Sequence, residues 1–98
     1  MIREGIKVVV AADEFHEHLI GRLEHHDRRV DEYEERLRIL EEEGASSGVT
    51  GSMIDTTRST LTNHRRLVDY FNFLVEHDDM TADHLLSDHE LRTLEFIR

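Results

Sequence analysis

The chain of 98 residues carries 22 acids against 12 lysines and arginines, a formal charge of −10, with no cysteine and no proline. The missing cysteine excludes a disulfide framework, a thiolate metal site and cysteine catalysis. The charge opposes non-specific binding to nucleic acid or anionic membrane, and no stretch approaches the roughly 18 apolar residues of a membrane span.

A single small domain over residues 1–98 is expected, of a size that often needs an oligomer to bury enough surface. The charge is uneven: residues 13–43 hold 12 acids against 5 arginines, and residues 53–77 balance at 3 and 3. Eleven of the 12 cations are arginine and one is Lys7. A strongly acidic, lysine-poor, cysteine-free chain resembles proteins of haloarchaea or of their viruses. The resemblance implies a soluble protein, cytoplasmic in a halophile or carried within a virion. In molar salt the Debye length falls to about 3 Å, so apolar contacts outlast ion pairs.

Residues 1–12 admit two readings. Ile6 to Val10 is β-branched, as in a strand, and such a strand would have to pair with another chain. A heptad pattern nevertheless runs through this stretch, and a helix is the expected conformation. Residues Ile6–Glu14 resemble the first strand and acidic turn of response-regulator receiver domains. That fold needs alternating βα units, which the remaining chain does not supply.

The heptad sets Ile2, Val9, His16, Leu23, Val30 and Leu37 at a positions, with Gly5, Ala12, Leu19, His26, Tyr33 and Leu40 at d. Charged shoulders flank this seam, with Arg22, Arg29 and Arg36 on one side and Asp27, Glu34 and Glu41 on the other. A parallel partner would bring Arg22 to Asp27, Arg29 to Glu34 and Arg36 to Glu41 of the facing helix. A bundle within the chain would use the same stripe as its core face.

Residues 13–43 read as a long first helix, supported by acid-first i,i+4 pairs Glu24–Arg28, Glu32–Arg36 and Glu34–Arg38. Residues 44–52, with three glycines and three serines, read as a loop. A second helix is expected over residues 53–77, with Ile54, Thr57, Leu61, His64, Val68, Phe71 and Val75 on a face widened by Thr60, Leu67 and Leu74. Folding back about residue 48 sets His26 near Tyr70 and His64 near Glu32. It also lets Asp27, Glu34 and Glu41 face Arg58 and Arg65.

Residues 78–83 break the pattern. Thr81 is placed to cap a turn bearing Leu85 and Leu86, and Ser87-Asp-His-Glu90 is a capping box. A short last helix is expected over residues 84–97, with Leu91, Leu94 and Ile97 inward. Residues Leu86–Ile97 resemble the opening helix of the helix-turn-helix in response-regulator output domains. The recognition helix such a motif places in the major groove has no counterpart in the sequence.

Eight histidines raise a metal-binding alternative, as in hemerythrin-like and ferritin-like bundles. Glu14–His18 and His84–Asp88 have the i,i+4 spacing that puts two ligands on one helical face. Neither an HExxH nor a Glu-x-x-His motif accompanies them. No nucleophile elbow or phosphate-binding loop is present. No catalytic residue, cofactor, metal ligand or small-molecule substrate is assigned.

The sequence therefore points to an all-α fold: a helical hairpin plus a short C-terminal helix, with coiled-coil-like packing. The expected role is a non-enzymatic assembly or connector subunit, contacting itself or other protein subunits without nucleic acid or membrane. A structural protein of a haloarchaeal virus and a small halophile adaptor are concrete versions. A histidine/carboxylate metal-binding bundle and a helical regulator are the alternatives. Residues 2–23 extend beyond the second helix, where the last helix or a partner is expected to dock.

Overall fold

The computed structural model describes residues 1–43 and 51–97. In chain order it contains β1 (Ile2–Glu4), β2 (Lys7–Val10), α1 (Ala12–Glu43), α2 (Gly51–His77), β3 (His84–Ser87) and α3 (Asp88–Thr93). The helical hairpin is present, but the fold is not purely α. Within residues 1–12, expected to be helical, residues 2–10 form a β-hairpin, and residues 84–87 are a strand rather than the start of the last helix. The second helix begins at Gly51, so Gly51 and Ser52 belong to it. The rest of the expected loop lies outside the described residues.

The chain clusters into two compact units, Met1–Arg22 with Phe71–Arg98, and Leu23–Tyr70. The first unit holds a three-stranded antiparallel sheet of order β1-β2-β3. Ile2 pairs with Val9 and Glu4 with Lys7; on the other edge Val8 pairs with Leu86 and Val10 with His84. The strand finds its partner within the chain, contrary to the expectation that it would need another. Gly5 makes this possible. It opens a two-residue connection at φ +61, the position glycine takes in a type II′ hairpin turn.

Side chains alternate across a strand. Val8, Val10 and Leu86 share the inner face and are buried, as are Phe15, Leu19, Phe71, Leu91 and Leu94 of the same unit. Helix α1 starts where this core requires it. The Asp83 carboxylate accepts from the Ala12 backbone N–H at 3.1 Å, and Asp13 and Glu14 occupy the electropositive first turn.

The capping box forms as expected. The Ser87 hydroxyl accepts from Glu90 N–H at 3.2 Å, and the Glu90 carboxylate accepts from Ser87 N–H at 3.1 Å. Helix α3 ends in a Schellman motif: Phe96 N–H donates to Leu91 O at 2.8 Å and Glu95 N–H to Arg92 O at 3.1 Å. Glu95 sits at φ +61, in the left-handed region where glycine is usual.

The second unit is an antiparallel pairing of α1 residues 23–43 with α2 residues 51–70. The expected crossing pairs are present, Arg65 to Glu34 at 3.0 Å and Arg58 to Glu41 at 2.8 Å. The expected histidine register is not: His26 meets His64, six residues before Tyr70, at 2.8 Å between their Nδ1 atoms. Among the described residues this unit buries one aliphatic side chain, Leu61, together with Thr57 and His26.

The Glu90 carboxyl is held below its ordinary value of 4.5, first by the Ser87 backbone N–H and then by the Ser87 hydroxyl. A depressed carboxyl stabilises above its unfolded value and loses that contribution as pH falls through its folded value. Glu90→Gln keeps the geometry and removes the titration. Urea midpoints measured from pH 6 to pH 3 should show wild type ahead at pH 6 and the gap closing below about pH 4.5.

Candidate interaction surfaces and histidine clusters

The heptad stripe divides between two kinds of structure. Ile2 and Val9 lie on strands, so the stripe does not continue as one helix through residues 1–12. From Ala12 onward it follows α1. Leu19 and His26 are buried, and Ala12, His16, Leu23, Val30, Tyr33, Leu37 and Leu40 are half-buried.

The shoulders are engaged within the chain. Arg22 donates from Nε and Nη2 to one Glu95 carboxylate oxygen, at 3.1 and 2.7 Å. Arg29 reaches Glu32 and the Tyr33 hydroxyl, and Arg29 and Arg36 lie 4.9 and 5.0 Å from the Tyr33 ring centroid. Glu34 and Glu41 hold Arg65 and Arg58, and Asp27 is exposed.

In the first unit, residues following α3 cover the start of α1. His18 Nε2 lies 2.7 Å from Leu94 O, and its ring stacks on Phe96 at 3.6 Å between centroids. The early α1 surface that the sequence leaves for the last helix or a partner is met by the C-terminal segment of the same chain.

Sequence reasoning missed the outer face of the sheet. The strand register places Ile2, Val9 and Leu85 in one cross-strand row, on the face away from Val8 and Val10. Ile2 is 70% exposed and Leu85 50%, and Ile6 at the turn is 83% exposed. The adjacent row is Glu4, Lys7 and Ser87. The alternation Ile2, Glu4 and Lys7, Val9 carried this signal, once the stretch is read with period two.

The histidines form two clusters. In the first unit the Asp78 carboxylate, its side chain 5% exposed, lies between His16 Nδ1 at 2.8 Å and His84 Nε2 at 3.8 Å. The His84 ring stacks on Phe15 at 3.7 Å. A pocket of about 250 Å³ opens here, lined by Phe15, Leu74, His77, Asp78, Asp79 and His84. Nothing local in the sequence joins His16 to Asp78, because the contact spans 62 positions.

In the second unit His26 bonds to His64, His25 stands edge-on to His26, and Tyr33 stacks on His64. The suggested ligand pairs serve other ends. His84 is on a strand, Asp88 accepts from Arg3 at 3.1 Å, and His18 is engaged by Leu94. Among the described residues, no group of three histidine or carboxylate side chains is placed to hold a metal ion.

Among the described residues, no helix is long and apolar enough to cross a membrane. No family model, curated protein or solved structure matches the chain.

The buried Asp78 sets a stability prediction. Asp78→Ala strips His16 of its carboxylate partner, and a hydrogen bond to a charged group is worth about 1.5–3 kcal/mol. Urea unfolding at pH 7 should show a loss of about 2 kcal/mol, against less than about 0.5 kcal/mol for exposed Asp55→Ala.

Proposed function

We propose that this protein is a non-enzymatic assembly subunit, acting by contact with a second copy through the outer face of its sheet. The observation that carries the reading is the cross-strand row Ile2, Val9 and Leu85, with Ile2 and Leu85 exposed and Val9 half-buried between them, flanked by exposed Ile6. Three aliphatic side chains aligned across three strands, the outer two exposed, mark a contact surface more specifically than scattered exposed residues do.

The second copy is favoured by the neighbouring row. Glu4 and Lys7 are opposite charges on one face, so a two-fold arrangement of two such faces can bring each Glu4 to the other copy's Lys7. The same residues then satisfy both sides. Elsewhere the net charge of −10 makes arbitrary self-contact repulsive at low salt. The long α1 stripe, engaged within the chain, plays the internal role in this reading.

The acidic, arginine-over-lysine composition supports a halophilic setting, with a haloarchaeal virion component or a cellular adaptor as its two forms. In molar salt the Glu4–Lys7 pairing contributes little and the aliphatic row carries the contact. The face is small beside the roughly 800 Å² per partner of a standard interface, so a weak, concentration-dependent dimer is expected.

Light scattering across concentration, in dilute and molar salt, tests this. Wild type should gain mass with concentration in both. The double variant Ile2→Thr, Leu85→Thr, chosen to keep β-propensity, should stay monomeric with unchanged circular dichroism. A wild type that remains monomeric throughout refutes the self-contact. A variant that associates as wild type does moves the contact off the sheet.

A further inference from the structure

We propose that the pocket beside Asp78 is a binding site for an alkylguanidinium cation. This inference stands apart from the assembly role, and every residue that carries it belongs to the first unit.

The walls set the chemistry. Phe15 and Leu74 are apolar, Asp78 and Asp79 are acids, and His77 and His84 are imidazoles. Asp78 is the group that asks for a ligand. Its side chain is 5% exposed. Its Oδ2 meets His16 Nδ1 at 2.8 Å. Its Oδ1 has only the Met80 N–H at 3.4 Å and His84 Nε2 at 3.8 Å, both beyond the usual hydrogen-bond range. A carboxylate oxygen withdrawn from water and short of donors costs free energy. A donor entering the pocket offsets that cost.

The neighbouring groups are acceptors as well. Thr81 donates to Asp79 Oδ1 from its backbone N–H at 3.2 Å and its hydroxyl at 2.9 Å. The N–H first, and then the hydroxyl, hold the Asp79 carboxyl below its ordinary value of 3.8, so it is charged at neutral pH. No other described residue donates to its Oδ2. His77 Nδ1 lies 2.8 Å from Phe73 O. A carbonyl only accepts, so Nδ1 carries the proton, and Nε2 of the neutral ring is an acceptor. Among the described residues no lysine or arginine pairs with Asp78 or Asp79.

Such a lining repels anions and favours a cation rich in N–H groups. Among the described residues no three histidine or carboxylate side chains are placed to hold a metal ion, so a point charge fits poorly. A guanidinium spreads five N–H groups over three nitrogens in one plane. It can therefore meet acceptors that do not converge, with one nitrogen toward Asp78 Oδ1 and another toward Asp79. Its alkyl stem then lies against Phe15 and Leu74, as apolar stems do beside a charged head. A pocket of about 250 Å³ is small for a ligand site, which suits a ligand of this size.

Butylguanidine titrated into the whole chain in dilute salt, at about pH 7.5 where histidines are mostly neutral, tests this through backbone amide resonances. Saturable shifts are expected around Phe15, Leu74, His77 to Asp79 and His84, with a Kd of about 1–10 mM. Butylurea has the same shape without the charge and should bind at least about tenfold more weakly. Asp79→Asn keeps an oxygen for Thr81 and removes the charge. It should weaken butylguanidine by about fivefold or more, against less than about twofold for exposed Asp55→Asn. Asp78→Asn should weaken it further; should that variant fail to fold, Asp79→Asn decides.

Acetylarginine methylamide carries the same group on a peptide backbone. Tighter binding than butylguanidine assigns the site to an arginyl peptide, and weaker binding assigns it to a free guanidine. Shifts that do not saturate, butylurea or butylamine binding as tightly as butylguanidine, or an Asp79→Asn variant that binds as wild type does, overturn the proposal.

Discussion

Pairing of Lys7–Val10 with His84–Ser87 is the contact on which the first unit depends. It joins residues from 74 positions apart, Val10 with His84, to 80 apart, Lys7 with Ser87, so it must offset the closure entropy of most of the chain. What it secures is direction. With β3 fixed beside β2, the chain enters α3 immediately at Ser87, while Asp83, one residue before the strand, reaches the first turn of α1. A slip of one residue in the pairing would turn Val8 or Leu86 outward and carry Asp83 away from Ala12. The buried Val10 and Leu86, the Asp83 cap and the Arg3–Asp88 pair are consequences of one register.

The second unit is built on a different balance. The ion pairs Arg58–Glu41 and Arg65–Glu34 between its two helices are close to half exposed, and such pairs are each worth no more than about 1 kcal/mol. Its buried groups include Thr57, whose hydroxyl donates to Met53 O at 2.8 Å, and His26. Polar groups at the centre of a hairpin fix its register, since each must find its partner. They supply less hydrophobic driving force than the valines, leucines and phenylalanines of the first unit. Local stability in one chain is seldom uniform, and here the residue types at the two centres differ in the direction that makes the hairpin the weaker unit.

The long helices were legible because 3.6-residue periodicity repeats over many turns. The expected 13–43 became Ala12–Glu43, and 53–77 became Gly51–His77. The capping box at Ser87 was legible because its two partners lie three residues apart. The N-terminal hairpin was concealed by a coincidence of spacing. A two-residue turn at Gly5-Ile6 sets residues 2 and 9 directly opposite, and these are also seven apart, the heptad interval. Ile2 and Val9 therefore satisfy a coiled-coil stripe and a β-ladder equally well. Gly5 ahead of a β-branched run was the sign that separated them. Strand β3 was too short for periodicity to register, and it ran straight into a strong helix cap. The His26–His64 and His16–Asp78 contacts could not be read at all. The first depends on the exact hairpin offset, and the second joins elements with no local relation.

Arg22 and Glu95 show why a charged shoulder does not by itself specify a partner. Arg22 lies where a coiled coil would offer it to an acid on a facing helix. The acid it meets is Glu95, of the same chain, held in the left-handed conformation that closes α3. A non-glycine residue there costs roughly 1–2 kcal/mol. Glycine would remove that strain, but it would also remove the carboxylate that receives both Nε and Nη2 of Arg22. With Phe96 stacked on His18 directly beyond, the C-terminal segment lies along the beginning of α1, beside the stripe. A stripe engaged by its own chain cannot also receive a second helix without displacing it. The outer sheet face asks for less: Ile2 and Leu85 are exposed on either side of half-buried Val9. That difference in cost is why the proposed self-contact uses the strands rather than the heptad.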